Sequence, residues 1–537
     1  MNIREIEKII DNNHRGLPIF KLNREQALYS VLSVFEDICW RGSLTSVLFD
    51  PSVTERNIHD MLDAVNQAVI WIFDLCSEGG AIIESVDELS YKQASELLID
   101  YASPYSKLVD GFIAFSRNYM NCEVSDSNVI FSNIDNPAYI RSYVADIVRE
   151  TRQKEQAINL LADVPSPDQN VLLDFFQTVH IEDDCICYEP SQRMYNYFKG
   201  IAQRHWEGSS ALPKHWNFDY FSLEEYKNVW TELCSICVMH NIAEQKIQNS
   251  FERINNHIIK LPETVIVDYL SKQSGIDNSI VKEILDYITY DQSIKNVDII
   301  YQPIIKTADF LWITPMLFLG SNPERNLISL VNKRDDRQYQ KETEDLEVTL
   351  VTELDEQVKK ANPKAITIKH RNISDISDID FAVLDTSTGI VLLCEVKWFT
   401  PTDSSKETFA KIADVDHGCN QIEGIMGYIL KDKTKFLHDY FGYEDDADVI
   451  GCVVTKNNIR STNKYVSVID YDKISNLISK YGVSSAALKI RNHDYEDRLP
   501  ENWELGNAEV HYSGFNFKIP AIIVTNETDL LLDEEFT

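Results

Sequence analysis

The sequence has little positive charge, no long apolar run and none of the common nucleotide-binding motifs. Its 537 residues include 51 Lys and Arg against 85 Asp and Glu, a formal net charge of −34. A field of that sign repels phosphates, so any contact with nucleic acid must come from a local basic strip. No stretch approaches the roughly 18 apolar residues of a membrane helix, and we expect no membrane association.

Further absences narrow the class of protein. The charged, amphipathic start MNIREIEKII is not typical of a secretory signal. No Gly-rich phosphate loop and no nucleophile elbow is present, which disfavours ATP hydrolysis and serine-hydrolase chemistry. The ten cysteines are scattered, several within apolar segments, as is usual for reduced thiols in a cytoplasmic protein.

The first 260 residues show helical periodicity. Apolar positions recur at helical spacing in stretches such as 25–40, 65–76 and 226–247. No internal repeat and no recognisable catalytic motif occurs there. We expect residues 1–260 to form a helical region for recognition or assembly, which binds a target, a partner or a second copy of the chain as a homo-oligomer.

The pattern changes after residue 260. Residues 261–325 predict two short helices around a Gly-containing turn and then strand-like pieces, an order similar to a winged-helix connector. An ordinary connecting subdomain gives the same pattern. Alternating helices and strands over 326–485 predict a mixed sheet covered by helices. A strand pair and a frayed acidic tail are predicted over 486–537.

The predicted fold class is therefore multidomain, with a mostly α-helical N-terminal region followed by a C-terminal α/β domain that has a mixed central sheet. The most informative stretch of that domain is SDIDFAVLDTSTGIVLLCEVKWF, residues 377–399. In an extended strand, Val391, Leu393, Glu395 and Lys397 share one face. Burying either charge alone is costly, so each needs a partner.

The turn TSTG (386–389) supplies that partner. If it closes a hairpin with Asp385 facing Ile390, Asp380 lies across from Glu395. Facing residues have Cβ atoms about 4.5–5.5 Å apart, so the carboxylates repel unless a cation binds both. Mg²⁺ favours one or two carboxylates with waters and phosphate oxygens. Lys397, roughly 6–7 Å along the strand, can hold a water and stabilise phosphate charge. A one-residue bulge would break this register.

This segment resembles the motif of the PD-(D/E)xK nuclease superfamily, which has the restriction-endonuclease-like fold. Asp380 is followed by fourteen residues and then by Glu395-Val396-Lys397. The Mrr-type and RecB-like branches are the most similar. The resemblance covers residues 345–455, and Ile379 stands where the motif has proline. It implies a nuclease domain over 326–485. It also implies that Asp380, Glu395 and the Val396 carbonyl bind Mg²⁺ or Mn²⁺, and that Lys397 serves the water.

Two outer residues fit the same resemblance. The family often carries a glutamate in the helix before the first strand, and Glu347 suits that place, with Glu344 and Glu353 as competitors. Some branches place a glutamine on the helix after the lysine, which corresponds to Gln421, one turn after His417. The tyrosine that the RecB-like form has three residues after the glutamine is absent.

A local excess of positive charge precedes the hairpin. In an acidic protein such a strip can bind phosphates, and it is our candidate nucleic-acid contact. A solvated helix end followed by a strand edge would give the same pattern. The strip consists of Lys359, Lys360, Lys364, Lys369, His370 and Arg371.

Cysteines also offer candidate zinc ligands, in Cys185-Ile-Cys187 and Cys234-Ser-Ile-Cys237 with His240 nearby. Cys234 and Cys237 lie in a helical apolar run, however, where thiols usually pack without a metal. We expect no zinc site from this set.

These features predict a cytoplasmic, Mg²⁺- or Mn²⁺-dependent endonuclease that hydrolyses nucleic acid. DNA is favoured by the resemblance, and RNA remains open. The alternatives are a binding or scaffold protein that keeps the nuclease fold without cutting, and a structural Glu–Lys pair on a sheet surface. Analogy with nucleases fused to sensor-like regions suggests bacterial defence against phage.

Overall fold

The computed structural model describes most of the chain, and the described residues form two compact units. The described ranges are 1–46, 51–79, 85–162, 169–182, 185–207, 212–213, 216–247, 249–334, 336–373, 377–402, 405–495 and 503–524. Unit 1 comprises Met1–Val109, Lys154–Gln338 and Val510–Asn516, and unit 2 comprises Asp110–Gln153, Tyr339–Glu509 and Phe517–Thr537. The predicted acidic tail falls in residues 525–537, outside the described residues.

Helices dominate the described part of the chain. A π-helical segment, Glu96–Ala102, joins α4 to α5. The α-helices are α1 (Ile3–Ile10), α2 (Arg24–Ser46), α3 (Pro51–Leu75), α4 (Glu88–Ser95), α5 (Ser103–Ser116), α6 (Pro137–Ala162), α7 (Gln169–Thr178), α8 (Gln192–Glu207), α9 (Leu223–Glu244), α10 (Ser250–Ile254), α11 (Glu263–Ser274), α12 (Asn278–Tyr287), α13 (Pro315–Leu319), α14 (Pro323–Arg334), α15 (Asp336–Ala361), α16 (Ser405–Ile429), α17 (Lys433–Phe441), α18 (Tyr471–Tyr481) and α19 (Val483–Arg491).

Among the described residues, the strands form four sheets, whose orders are β1-β2-β14-β13, β3-β4, β5-β7-β6 and β12-β11-β10-β9-β8. Their bounds are β1 (Met120–Ser125), β2 (Asn128–Asn133), β3 (His180–Glu182), β4 (Cys185–Cys187), β5 (Ile259–Leu261), β6 (Ile304–Lys306), β7 (Leu311–Ile313), β8 (Ile366–Ile373), β9 (Ser377–Asp385), β10 (Ile390–Trp398), β11 (Asp448–Lys456), β12 (Ser467–Asp470), β13 (Trp503–Tyr512) and β14 (Phe515–Val524). The fold is therefore mixed α/β.

Local sequence explains several of these elements. The helical periodicity over 25–40 and 226–247 falls in α2 and α9, and Ser222 caps α9 through a reciprocal bond set with Glu225. Helix α11 ends at Gly275, whose φ of 74° favours glycine. The helices α11 and α12 precede the strands β6 and β7, in the predicted order, whereas β5, which precedes the helices and pairs with β7, was not predicted. No helix among the described residues is long and apolar enough to cross a membrane.

Unit 1 encloses a buried network of charges between α2, α9 and the segment after α10. His257 is almost fully buried and lies 3.0 Å from Glu244 and 3.6 Å from Asp37, both of which are also buried. Burial acts to lower the pKa of His257. The Glu244 charge and the hydrogen bonds to Asp37 and Glu244 outweigh it and raise the pKa to about 9. Each partner therefore stabilises the other's charge inside the core.

The second unit contains the five-stranded sheet that positions the candidate site. Strands β8, β9 and β10 pair antiparallel, whereas β10, β11 and β12 pair in parallel. Helix α16 covers one face, where Val391, Leu393 and Val453 pack with Cys419 and Ile422. Helices α18 and α19 also pack against β10 and β11. The predicted strand pair of the C-terminal region is present as β13 and β14, and it joins β1 and β2 in one sheet.

We predict that His257→Gln destabilises the protein in a pH-dependent manner. The pKa in the fold, about 9, lies above the ordinary 6.5, so the stabilisation is complete below pH 6.5 and is lost as the pH rises through 9. Removing one partner of a buried ion set costs about 3–5 kcal/mol. The free energy of unfolding should be measured in urea at about pH 6 and about pH 10. The variant should be less stable than the wild type, by a smaller difference at the higher pH. His438→Gln, exposed on α17, is the control, and an equal gap at both pH values would contradict the prediction.

Candidate active site

The β9–β10 hairpin has the register predicted from the sequence along most of its length. Asp385 pairs with Ile390, and the pairing continues to Phe381 opposite Cys394. It ends there, one residue before the expected pair of Asp380 and Glu395. Strand β9 instead goes on pairing with β8 to Ile373 and Ser377. The two strands that carry the acids therefore separate at the predicted site.

A side-chain hydrogen bond accounts for this early end of the ladder. The Val396 N–H donates to Oδ2 of Asp380 over 2.8 Å, so a carboxylate takes the place of a backbone acceptor. Burial raises the pKa of Asp380, and the nearby Asp378 charge adds to the rise. The Val396 N–H and the Lys397 charge oppose it. Asp380 is thus fixed in position while its charge is only partly compensated.

Glu395 and Lys397 form a close ion pair on the α16 face of β10. Nζ of Lys397 lies 2.8 Å from Oε1 of Glu395, and the Glu395 side chain is nearly fully buried. Burial, with the Asp380 charge next in size, raises the pKa of Glu395 to about 7, against the opposing effect of Lys397. Burial acts to lower the pKa of Lys397, but the Glu395, Glu347 and Asp380 charges outweigh it and the pKa is raised.

Glu347 is the third carboxylate of the cluster and comes from α15. Its Oε1 accepts the Trp398 N–H over 3.1 Å, immediately after Lys397 in the chain. Burial raises its pKa, and the Asp380 charge contributes to the rise. Of the competitors named from the sequence, Glu353 accepts from the Tyr471 hydroxyl at 3.0 Å instead, and Glu344 is exposed. Glu347 is therefore the glutamate of α15 that reaches the cluster.

Helix α16 approaches the cluster most closely at Gly418. A Cβ atom added there would lie 3.3 Å from Cγ of Glu395, whereas one added at Gly451 would meet Ile422. Because Gly451 pairs with Leu393, α16 runs antiparallel to β10, and residues after 418 lie towards the hairpin turn. Gln421 is partly buried. Along α16 it lies between the residues that pack near Glu395 and those that pack near Leu393. His417, one helical turn before Gln421 on α16, is exposed.

The predicted basic strip is divided by the fold. Lys359 and Lys369 both pair with the buried carboxylate of Asp355, at 2.8 and 3.0 Å. Lys360 is thirteen residues from Glu347 along α15, which is about 20 Å of helix. All six members of the strip are exposed, so Lys359 and Lys369 form their pairs with Asp355 at the surface. The members of the strip on β8 lie beside Asp380, because Lys369 pairs with Phe381 and Arg371 with Ile379.

Asp378 and His370 lie beside the predicted site residues and were not assigned a catalytic role from the sequence. Asp378 is exposed, and its charge raises the pKa of both Asp380 and Glu395. Asp378 lies two residues before Asp380, and residues two apart on a strand share a face. This spacing is the sequence feature that could have identified Asp378. On β8, His370 lies between the two residues that pair with the neighbours of Asp380 on β9. The backbone φ of His370 is 46°. Its charge lowers the pKa of Asp380.

The donor set fits a hard divalent cation by charge. Asp380, Glu395 and Glu347 bring three carboxylates to a site where Lys397 is the lysine that compensates them, and each of the three has a raised pKa. Carboxylate and backbone carbonyl oxygens are ligands that Mg²⁺ and Mn²⁺ accept. The three carboxylates do not place one oxygen each within 4.8 Å of the others. Asp380, Glu395 and the Val396 carbonyl are therefore candidate ligands through the family resemblance, and not through a trio of carboxylates already gathered around one point.

Comparisons with protein-family models, curated proteins and solved structures gave no match to this chain. The resemblance to the PD-(D/E)xK superfamily thus rests on the residues of the hairpin and its flanking helices.

We predict that Gly418→Ala is less stable than a matched control. Gly427 lies on the same helix, and a Cβ there meets nothing within 4 Å, so Gly427→Ala should gain about 1 kcal/mol of helix propensity. At Gly418 the new Cβ would press on Glu395 and Val453, and overpacking costs about 1–3 kcal/mol. Urea unfolding should rank Gly418→Ala below Gly427→Ala. Equal stabilisation by both would show that α16 does not pack tightly on Glu395.

Proposed function

We propose that this protein is a metal-dependent endonuclease that hydrolyses phosphodiester bonds, with DNA as the favoured substrate. One observation carries the proposal: Asp380, Glu395, Lys397 and Glu347, from three separate elements, converge where β9 leaves β10. Phosphodiester hydrolysis needs oxygen ligands for a divalent ion beside a donor that can hold water. The converging groups are of these two kinds.

The proposed roles follow from the contacts of each side chain. Asp380, Glu395 and the Val396 carbonyl oxygen would hold Mg²⁺ or Mn²⁺. When bound, the ion supplies neutralising charge at the phosphate and acidifies a water. The Val396 N–H orients the Asp380 carboxylate, and Glu347 fixes the backbone after Lys397 through the Trp398 N–H. The Lys397 ammonium holds the attacking water and stabilises negative charge on the phosphate.

The water oxygen attacks phosphorus, and the bond from phosphorus to the leaving sugar oxygen breaks. The products are a phosphomonoester and a free hydroxyl. We propose that His370 and Arg371, exposed beside Asp380, contact the phosphate backbone, because the lysines at 359 and 369 are already paired with Asp355. Gln421 is proposed to position the substrate from α16.

The principal alternative is a scaffold that keeps the fold without cutting. Three carboxylates with raised pKa values beside one another are more common at catalytic sites than in structural cores, which favours the enzyme over the scaffold. RNA is the second alternative, since the family resemblance alone favours DNA. In this proposal the protein is cytoplasmic and multidomain, with a restriction-endonuclease-like C-terminal domain, a helical region that mediates homo-oligomer formation or target recognition, and a role in defence against phage.

We predict that Lys397→Ala and Asp380→Asn abolish cleavage of plasmid DNA in the presence of Mg²⁺. Loss of a group that stabilises charge in the transition state costs about 10²–10³ in rate, and loss of a metal ligand costs at least as much. The assay should run plasmid and tRNA substrates side by side, with Mg²⁺ or chelator.

Lys456→Ala is the matched control for Lys397→Ala. Lys456 lies on the neighbouring strand, pairs with Asp472 and has a side-chain exposure of 24%, against 23% for Lys397. It aligns with Trp398, so it faces the opposite side of the sheet. Cleavage that persists in Lys397→Ala would remove the enzymatic proposal. Cleavage of tRNA alone would replace DNA with RNA.

We also predict that Mn²⁺ stabilises the wild type and not Asp380→Asn. An ion that binds the folded state alone raises stability by about 2.7 kcal/mol at a hundredfold excess over its Kd. In chelator, Asp380→Asn should be at least as stable as the wild type, because it removes one of the mutually repelling carboxylates. Thermal unfolding with chelator or Mn²⁺ measures both effects. Equal stabilisation of both proteins by Mn²⁺ would contradict the proposed ligand set.

A further inference from the structure

A short hairpin in unit 1 places four potential metal ligands on one face. Strand β3 pairs antiparallel with β4, so that His180 faces Cys187 and Glu182 faces Cys185. The alternation of a strand puts these four side chains on one side and Ile181 and Ile186 on the other.

Three of the four side chains already bring their ligand atoms together. Nε2 of His180 lies 3.8 Å from Oε2 of Glu182. Ligand atoms of His180, Glu182 and Cys187 all lie within 4.8 Å of one another, and no other such trio of His, Cys, Asp or Glu occurs in the part of the chain that the structure describes. One ion can therefore reach all three with small side-chain movements.

The His180 ring is oriented as a metal ligand requires. Its Nδ1 lies 2.8 Å from the Thr178 carbonyl oxygen, which can accept only a proton carried by Nδ1. That bond leaves the lone pair of Nε2 directed towards Glu182. Histidine ligands in metal sites commonly donate their second ring N–H to a backbone carbonyl in this way.

The base of the hairpin is held firmly although its ligand face is open to solvent. The Ile186 N–H donates to Oδ1 of Asn256 over 2.7 Å, and Lys246 donates to the Val179 carbonyl over 2.8 Å. The Glu189 N–H donates to the Thr178 hydroxyl over 3.1 Å. A fixed backbone lowers the entropic cost of gathering ligands around an ion.

We propose that His180, Glu182 and Cys187 form a Zn²⁺ site. Nitrogen, oxygen and thiolate sulfur together select zinc over Mg²⁺, which takes oxygen ligands. The Cys187 thiol gives up one proton to solvent as its sulfur binds the ion. The fourth tetrahedral position goes to water, because the ligand atoms that come together are those of His180, Glu182 and Cys187. Cys234 and Cys237, the other pair noted in the sequence, are buried in α9 and take no part.

The proposed ion would add a further link between the two strands of the hairpin. Two strands of three residues each form a ribbon too short to be stable alone, and the metal would cross-link them. The site is separate from the candidate nuclease residues, all of which belong to unit 2. It therefore requires neither nuclease activity nor Mg²⁺.

Cobalt substitution tests the site in the full-length protein. After treatment with chelator, Co²⁺ is titrated and the charge-transfer band of a cobalt–thiolate bond is followed, with Zn²⁺ added last as competitor. We expect the thiolate band to saturate at one Co²⁺ per chain, to be lost fully when Zn²⁺ is added and to be unaffected by Mg²⁺. The absence of a thiolate band in the wild type would overturn the proposal.

The variants identify the ligands. Cys187→Ser should lose the band, and His180→Ala should weaken Co²⁺ binding at least about tenfold. Cys122→Ser is the matched control, because Cys122 on β1 is partly exposed like Cys187, and it should keep the band. Zn²⁺ should raise the Tm of the wild type and of Cys122→Ser, but not that of Cys187→Ser. A band that survives in Cys187→Ser would refute the site, whatever the result of the nuclease assay.

Discussion

One hydrogen bond determines the geometry of the candidate active site. The Asp380 carboxylate receives the Val396 N–H that a backbone carbonyl of β9 would otherwise accept. Pairing between β9 and β10 stops at that point, while β9 remains bonded to β8. The acids at 380 and 395 therefore lie at a fork in the sheet and not on a continuous ladder.

Two buried charged clusters in this protein differ in how far their charge is compensated. In unit 1, burial acts to raise the pKa of Glu244, but His257 outweighs it and the pKa is lowered. In unit 2, burial and mutual repulsion raise the pKa values of Glu347, Asp380 and Glu395, despite Lys397. In the first cluster, the His257 charge compensates Asp37 and Glu244, whereas burial still raises the pKa of the neighbouring Glu36. The second is unbalanced, and proteins retain such an arrangement where a ligand or a reaction uses it.

Local sequence patterns were sufficient to predict the strands of the sheet. The features that these patterns did not predict depend on contacts between residues distant in the sequence. Alternation placed Glu395 and Lys397 on one face, and the TSTG turn set the hairpin register. The early end of the ladder escaped prediction because a side-chain acceptor leaves no trace in periodicity. Pairing of Lys359 and Lys369 with Asp355 joins a helix to a strand. The sheet that joins β2 to β14 connects segments almost four hundred residues apart, which no local pattern indicates.

The most direct test of the active site is anomalous diffraction from crystals soaked with Mn²⁺. Bound manganese should give a peak between the carboxylates of Asp380 and Glu395, close to the Val396 carbonyl oxygen. Lys397 should then release Glu395, with which it forms an ion pair. A peak elsewhere, or none with the Lys397–Glu395 pair intact at saturating Mn²⁺, would contradict the central claim.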